Sequence, residues 1–375
     1  MPCRCGGTTK FKEHASRGFV TVVGEIRVLR RSMRCPGCGV AQVPWDDWAG
    51  TCKGHLTSGA RRLACLVGAS WSFDEASRNL AELCGLSVSD QTIRRVCDEQ
   101  GTKAAAWMED SDAAARPLRD APGNAEFYVD GTMINTREGW REMRLCIFAK
   151  RESGDGVDPV SWDDVRRRKL PLVNSRLAMC RIASSDQMGP WWARHAERLG
   201  VAEGCELSVL ADGAKWIGSQ VDTSLPLAER TVDIYHVKEH VHACGQVLYG
   251  AKAPEAGPWA DAETMRLIQS GAMAFIARLD LGAEERSGEP QRAAMRGLAD
   301  YLRPNVNALE YARRLRRGLP IGSGMVEGGC KTIIGRRIKC NSARWLPDRA
   351  ERLVSLCCLR YGSQWDRFWA DKAAA

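Results

Sequence analysis

Phe127-Tyr-Val-Asp130-Gly131 and Leu207-Ser-Val-Leu-Ala-Asp212-Gly213 decide the fold. Each is a short apolar run that stops at an aspartate followed by a glycine. Runs of that length read as buried strands. An aspartate at the tip of such a strand is held rigidly, with its head at the end of the sheet. The glycine behind it lets the chain turn and lets a phosphate approach the backbone.

Outward from these two runs, residues 140–151 and 176–184 read as further strands and 190–199 as an amphipathic helix. Residues 214–221 read as a short helix, and Thr231-Val-Asp-Ile-Tyr-His236 as a fifth strand. The order β-β-β-α-β-α-β predicts an α/β fold, a mixed sheet flanked by helices. Residues 237–318 read as helical throughout, with breaks near Pro254, Gly288 and Pro304. One more helix is expected over 323–339.

Paired carboxylates at strand ends suit hard divalent cations such as Mg²⁺ or Mn²⁺. Two such ions roughly 3.5–4 Å apart serve phosphoryl transfer. A third carboxylate is best supplied by Glu327, in Pro320-Ile-Gly-Ser-Gly-Met-Val-Glu327-Gly-Gly-Cys-Lys-Thr332. Ser323 is placed to cap that helix, and Lys331, Arg336, Arg337 and Lys339 follow on it as candidates for backbone phosphates. Trp345 beyond them reads as core.

Composition narrows the class. Of 375 residues, 44% are hydrophobic and 27% charged, so the chain can build packed cores. No apolar run approaches the roughly 20 residues of a membrane helix, and the first residues lack the apolar stretch of a signal peptide. A soluble, cytoplasmic protein is therefore expected. The net charge of +8 is modest, but residues 313–360 hold twelve basic and three acidic residues. That concentration marks a surface for a polyanion.

Sixteen cysteines in a reducing compartment point to metal ligation rather than disulfides. Cys3-x-Cys5 and Cys35-Pro-Gly-Cys38 bracket strand-like sequence, as in a zinc ribbon, where four thiolates close a tetrahedral Zn²⁺ site. Between residues 73 and 96 the spacing is that of a helix-turn-helix. Gly85 allows the turn, Ser89 caps, and residues 90–96 form the recognition helix, with Gln91, Thr92, Arg94 and Arg95 as candidate DNA contacts.

These motifs together resemble the DDE transposases of bacterial insertion sequences, most closely the ISKra-type group and more distantly Mutator-like elements. The similarity runs from the cysteine pairs to about Tyr361. It is carried by Tyr128-Val-Asp-Gly-Thr132, Trp140-Arg-Glu-Met-Arg144, Leu210-Ala-Asp-Gly-Ala214, Asp233-Ile-Tyr-His236 and residues 320–339. The resemblance implies an RNase H-like core with a helical insertion, preceded by a zinc-ribbon-like segment and a helix-turn-helix domain. The implied segments are 1–50, 51–118, 124–236, 237–318 and 319–362. It implies catalytic Asp130, Asp212 and Glu327 holding two Mg²⁺ or Mn²⁺ ions, with Asp233 and His236 in support. It also implies transposon-end and target DNA as partners, and a homo-oligomer in the synaptic complex.

Three rival readings remain. His236-Val-Lys-Glu-His240 matches the inverted zinc-protease pattern, but that chemistry needs both histidines on one helix and His236 is expected to end a strand. A P-loop ending at Lys331-Thr332 fails because Met325 and Cys330 stand where its glycines belong. A catalytically silent, domesticated DNA-binding protein would share the same domains; intact Asp130, Asp212 and Glu327 argue against it.

Overall fold

The computed structural model describes residues 1–49, 51, 54–160, 170–202, 206–340 and 343–371. They fall into two compact units. The first comprises Met1–Asp110, Asn135–Glu138 and Ile333–Ala375, and the second Ser111–Ile134 and Gly139–Thr332.

In the first unit, Lys10–Thr21 (β1) and Gly24–Arg34 (β2) form a long antiparallel hairpin, and Ala41–Gln42 (β3) pairs with the end of β2. The hairpin has little core of its own. Phe19 and Val20 are buried, whereas Phe11, Val23 and Leu29 are more than half exposed. A ribbon so poor in buried apolar surface needs a staple. A short helix, Pro44–Trp48 (α1), lies where the sequence showed no helical pattern. It sets Trp45 against Phe19, with 4.8 Å between ring centres, and its Asp46 takes the Arg30 guanidinium at 2.6 Å.

Ser58–Gly68 (α2), Phe73–Cys84 (α3) and Asp90–Asp110 (α4) pack on one another. Ser72 caps α3 by accepting from the Glu75 N–H, and Gly85 ends it in the left-handed region at φ 65°. Ser89 then accepts from the Thr92 N–H at 3.3 Å to open α4. Residues 90–96, expected as the recognition helix, are the first turns of this helix. It runs on to Asp110 because Cys97, Gln100, Ala104, Trp107 and Met108 continue its buried stripe.

The second unit opens with Asp112–Arg119 (α5), which accommodates Pro117. Its sheet is built from Asn124–Thr136 (β4), Gly139–Arg151 (β5), Ser175–Arg181 (β6), Leu207–Ala211 (β7) and Glu229–Val232 (β8). The strand order is β6-β5-β4-β7-β8; β5 and β6 are antiparallel, and β4, β7 and β8 are mutually parallel. Every residue of β7 is buried, as expected of a strand covered on both faces. Ser185–Arg198 (α6) and Lys215–Ser224 (α7) pack together. From α6, Trp192 reaches Phe127, which stacks on Phe148 at 4.4 Å. A capping box of Ser184 and Gln187 starts α6 five residues ahead of Pro190.

Beyond the sheet lie Ile234–Tyr249 (α8), Ala256–Ser270 (α9), Ala272–Glu284 (α10), Glu289–Leu302 (α11) and Tyr311–Arg316 (α12). They share one core in which Val237, Val241, Phe275, Leu302 and Tyr311 are buried. The Tyr311 hydroxyl donates to the Val232 carbonyl at 2.9 Å, tying this helical layer to β8. Gly324–Gly329 (α13) follows, then a π-helical turn over Cys330–Gly335. The single helix expected over 323–339 is thus two short pieces. Glycines at 324, 328, 329 and 335 remove the propensity a continuous helix needs.

The chain ends in the first unit with Pro347–Tyr361 (α14) and Trp365–Ala370 (α15). Gly101 lets α4 and α14 meet backbone to backbone, since a Cβ there would lie 2.2 Å from the Arg352 carbonyl oxygen.

Candidate active site and cysteine cluster

Strand register brings the aspartates together. Val129 of β4 lies opposite Ala211 of β7, and Ala211 lies opposite Val232 of β8. The next residue on each strand is an acid: Asp130, Asp212 and Asp233. Three carboxylates therefore follow the last paired residues of three adjacent parallel strands; β7 and β8 end there, whereas β4 runs on through Asp130 and Gly131 to Thr136, where a turn was expected. Backbone amides orient them. Gly131 N–H donates to Asp130 Oδ1 at 2.7 Å, Ala214 N–H to Asp212 Oδ1 at 3.1 Å, and Tyr235 N–H to Asp233 Oδ1 at 2.7 Å.

Asp233 is also the anchor for Glu327. It is fully buried, and its Oδ2 accepts from both the Ser323 N–H, at 2.8 Å, and the Ser323 hydroxyl. Beside it the Ile234 N–H donates to the Ile321 carbonyl at 3.1 Å. Buried Arg314 holds the preceding Pro320 carbonyl through Nε at 2.8 Å. Gly322 eases this close approach, because a Cβ there would lie 3.0 Å from the Tyr235 ring. Glu327 then follows on α13. One donor atom each from Asp233, His236 and Glu327 lie within 4.8 Å of one another. Asp130 and Asp212 stand outside that group, although the Asp212 carboxyl feels the charges of both His236 and Asp130.

Burial raises the Asp212 carboxyl above the ordinary carboxylate range, and the charges of Asp130 and Glu142 add to it against the Ala214 amide and His236. Glu327 is raised too, first by burial and then by Asp233. Glu327 and Asp233 crowd each other, and with His236 their donor atoms lie within 4.8 Å, so that set fits a divalent ion, which would relieve the crowding.

His236 does not end a strand. β8 stops at Val232, Asp233 caps α8, and His236 lies on that helix's first turn. The cause is local: Asp233 offers the cap, and Ile234, Val237 and Val241 carry a helical apolar stripe. His236, Glu239 and His240 therefore share one helix, contrary to the ground on which the protease pattern was set aside. Among the described residues His240 nonetheless belongs to no metal-ligating group; its ring stacks on Tyr301 at 3.8 Å.

Two further residues stand near the site: Glu142, which lies in the quoted segment 140–144 but was given no role, and Tyr301, for which the sequence held no signal. A Cβ on Gly131 would lie 2.3 Å from the Glu142 carboxylate, which Arg144 Nε holds at 2.9 Å. A Cβ on Gly213 would lie 2.5 Å from the Tyr301 hydroxyl. The glycine behind each aspartate thus makes room for a side chain, Glu142 or Tyr301, where room for a phosphate was expected. Burial pushes the Tyr301 phenol up to about 12, with Asp212 and Asp233 contributing.

Of the candidate DNA contacts, Gln91, Arg94 and Arg95 are exposed on the first turns of α4 and Thr92 is half-buried. Lys331, Arg336 and Lys339 are exposed. Arg337 is not available to a phosphate. It is 5% exposed, donates from Nε to the Gly68 carbonyl at 2.7 Å, and lies over the Phe73 and Trp345 rings at 4.6 and 5.2 Å. Trp345 itself is half-buried and donates from Nε1 to the Ile338 carbonyl at 2.8 Å.

At the open end of the hairpin, two tight turns bring the cysteine pairs together. Gly6 N–H donates to the Cys3 carbonyl and Gly39 N–H to the Cys35 carbonyl, both at 2.9 Å, with both glycines at positive φ. Cys3 and Cys38 Sγ lie 3.5 Å apart, Cys5 and Cys35 Sγ 3.6 Å, and all four fall within 4.8 Å. Thiolates at about 2.3 Å from a tetrahedral zinc lie roughly 3.8 Å from each other, so the cluster fits that ion. Amide donors, the Cys38 N–H foremost, bring the Cys35 thiol down to about 6.

No protein-family model and no curated protein matches the chain. Among solved structures it is similar to the Drosophila P element transposase strand transfer complex. That likeness has 10% identity and a TM-score of 0.37, over 86% of this chain and 96% of that one. A likeness of that size carries no argument about activity. Among the described residues, no helix is long and apolar enough to cross a membrane.

Proposed function

We propose that the protein is a DDE transposase of the ISKra type, cutting DNA at insertion-sequence ends and joining the 3′-hydroxyl to target DNA. The observation that carries this is the register of β4, β7 and β8, which sets Asp130 and Asp212 at one sheet end where Asp233 anchors the Glu327 segment. The strand order supports an RNase H-like core: numbered within the sheet it is 3-2-1-4-5, with aspartates on the first and fourth strands. Residues 1–50 would be the zinc ribbon, 51–118 the helix-turn-helix reader of the ends, 124–236 and 319–362 the core, and 237–318 its insertion.

Asp130, Asp212 and Glu327 would hold two Mg²⁺ or Mn²⁺ ions, and Cys3, Cys5, Cys35 and Cys38 one Zn²⁺. The bound divalent ions would supply charge stabilisation at the phosphate and a more acidic attacking water. The chain's own part is placement. Backbone amides orient the carboxylates, Asp233 fixes the Glu327 segment, and Lys331, Arg336 and Lys339 offer charge to DNA phosphates. Water attacks the phosphorus at the transposon end and displaces the 3′-oxygen, giving a 3′-hydroxyl and a 5′-phosphate; that hydroxyl then attacks a target phosphorus and displaces a target 3′-hydroxyl in turn. Synapsis of two ends calls for a homo-oligomer at the nucleoid.

Mn²⁺-dependent nicking of a labelled DNA end is the test, comparing wild type with Asp130→Asn, Asp212→Asn and Glu327→Gln. Each folded variant is expected to lose at least about a hundredfold in rate. Undiminished cleavage by one variant removes that residue from the site. End binding by a well-folded wild type that never cleaves points to a silent DNA-binding protein instead.

A further inference from the structure

We propose that Asp233, His236 and Glu327 form a divalent-cation site with an imidazole nitrogen among its donors, one that takes Mn²⁺ or Zn²⁺ in preference to Mg²⁺. It rests on the reading above only in placing Glu327 at the cleavage site. The three donors come from three places in the fold: the cap of α8, its first turn, and α13. Their ligating atoms already lie within 4.8 Å of one another. Atoms sharing one ion at about 2.1 Å sit roughly 3 to 4 Å apart, so only a small movement closes the group.

Asp233 is set for this in advance. It accepts from Tyr235 N–H, Ser323 N–H and the Ser323 hydroxyl. A carboxylate has about four lone-pair sites, and the fourth meets the Glu327 carboxyl, a contact that a cation would replace. His236 carries the outer partner that metal-ligating imidazoles ordinarily have: Glu239 Oε2 lies 3.5 Å from its Nδ1. A carboxylate on one ring nitrogen orients the ring and leaves the other for the ion.

The donor chemistry sets the selectivity. Mg²⁺ takes oxygen ligands and releases water reluctantly, whereas imidazole nitrogen favours first-row transition ions. An all-carboxylate site would not separate these ions in that way.

The test uses the full-length protein with its cysteine cluster zinc-loaded and Mn²⁺ as the probe, read by pulsed electron paramagnetic resonance. Wild type is expected to show a histidine nitrogen coupled to bound Mn²⁺. His236→Gln alters a half-buried side chain and should fold. It is expected to lose the coupling and about tenfold in Mn²⁺ affinity, while Mg²⁺ affinity changes by less than about threefold. Bound Mn²⁺ without nitrogen coupling, coupling that survives in His236→Gln, or no Mn²⁺ binding at all overturns the proposal. DNA nicking assayed in parallel separates the two readings. Cleavage that needs Asp130 and Asp212 but shows no nitrogen coupling removes the imidazole site and keeps the transposase. Coupling in a protein that never cleaves keeps the site and removes the transposase.

Discussion

Arg336 and Arg337 are adjacent in sequence and opposite in surroundings. Arg336 is exposed, while Arg337 is buried between Phe73 and Trp345 with its Nε on the Gly68 carbonyl. Removing Arg337 leaves that carbonyl without its donor and forfeits two cation–π contacts. Arg337→Ala should therefore cost about 2–3 kcal/mol in urea unfolding. Arg336→Ala should stay within about 0.5 kcal/mol of wild type and instead weaken binding to DNA ends, with a shallower salt dependence. Equal destabilisation by the two would reject the assignment. The sequence shows both charges but not which is covered, because Phe73 and Gly68 lie far back along the chain. The same limit hid Tyr301 and the place of Glu142 beside Gly131, whereas Asp130 and Asp212 were legible because an apolar run ending in Asp-Gly is a local signal.

Elements were legible where one signal ruled and misread where two competed. The run Thr231-Val-Asp-Ile-Tyr-His236 is β-branched and aromatic enough to read as strand throughout. Asp233 is also a helix cap, and capping decided the boundary. The cysteine hairpin shows the converse: its strand-like character was legible though its turn was not, and β1 and β2 hold too little buried surface to stand alone. Zinc removal is therefore predicted to melt this element selectively. A strong chelator, or Cys35→Ala, should release one zinc per chain and open β1 and β2 to protease, while α2, α3 and α4 stay protected from hydrogen exchange. A hairpin equally resistant after zinc has left would mean that Phe19, Trp45 and the Asp46–Arg30 pair suffice.

Across the second unit, stability against pH balances groups of opposite sign. His195 is fully buried edge-on to Trp191, and neither ring nitrogen has a hydrogen-bond partner. Burial, helped by Arg198, Arg194 and Arg181, brings it down to about 3 from an ordinary 6.5. The unfolded chain takes up that proton below about pH 6.5 and the folded chain does not. Stability present above pH 6.5 is thus lost as pH falls toward 3, by up to about 1.4 kcal/mol per pH unit. Asp212 and Glu327 act in the other direction. Their raised carboxyls keep protons that the unfolded chain has released, so stability falls as pH climbs out of the ordinary carboxylate range. A bound divalent cation cancels this second loss and leaves the first untouched. Mn²⁺ should therefore raise the melting temperature at pH 7 and have little effect near pH 4. Asp212→Asn should raise the cation-free value on the order of a few degrees and blunt the response to Mn²⁺. His195→Leu should flatten the acid limb between pH 6.5 and 3 without altering the Mn²⁺ response, because its neighbours are the three arginines and not the site carboxylates. An acid limb unchanged by His195→Leu would assign that loss to other groups, and a Mn²⁺ response as large in Asp212→Asn would move the cation away from the strand ends.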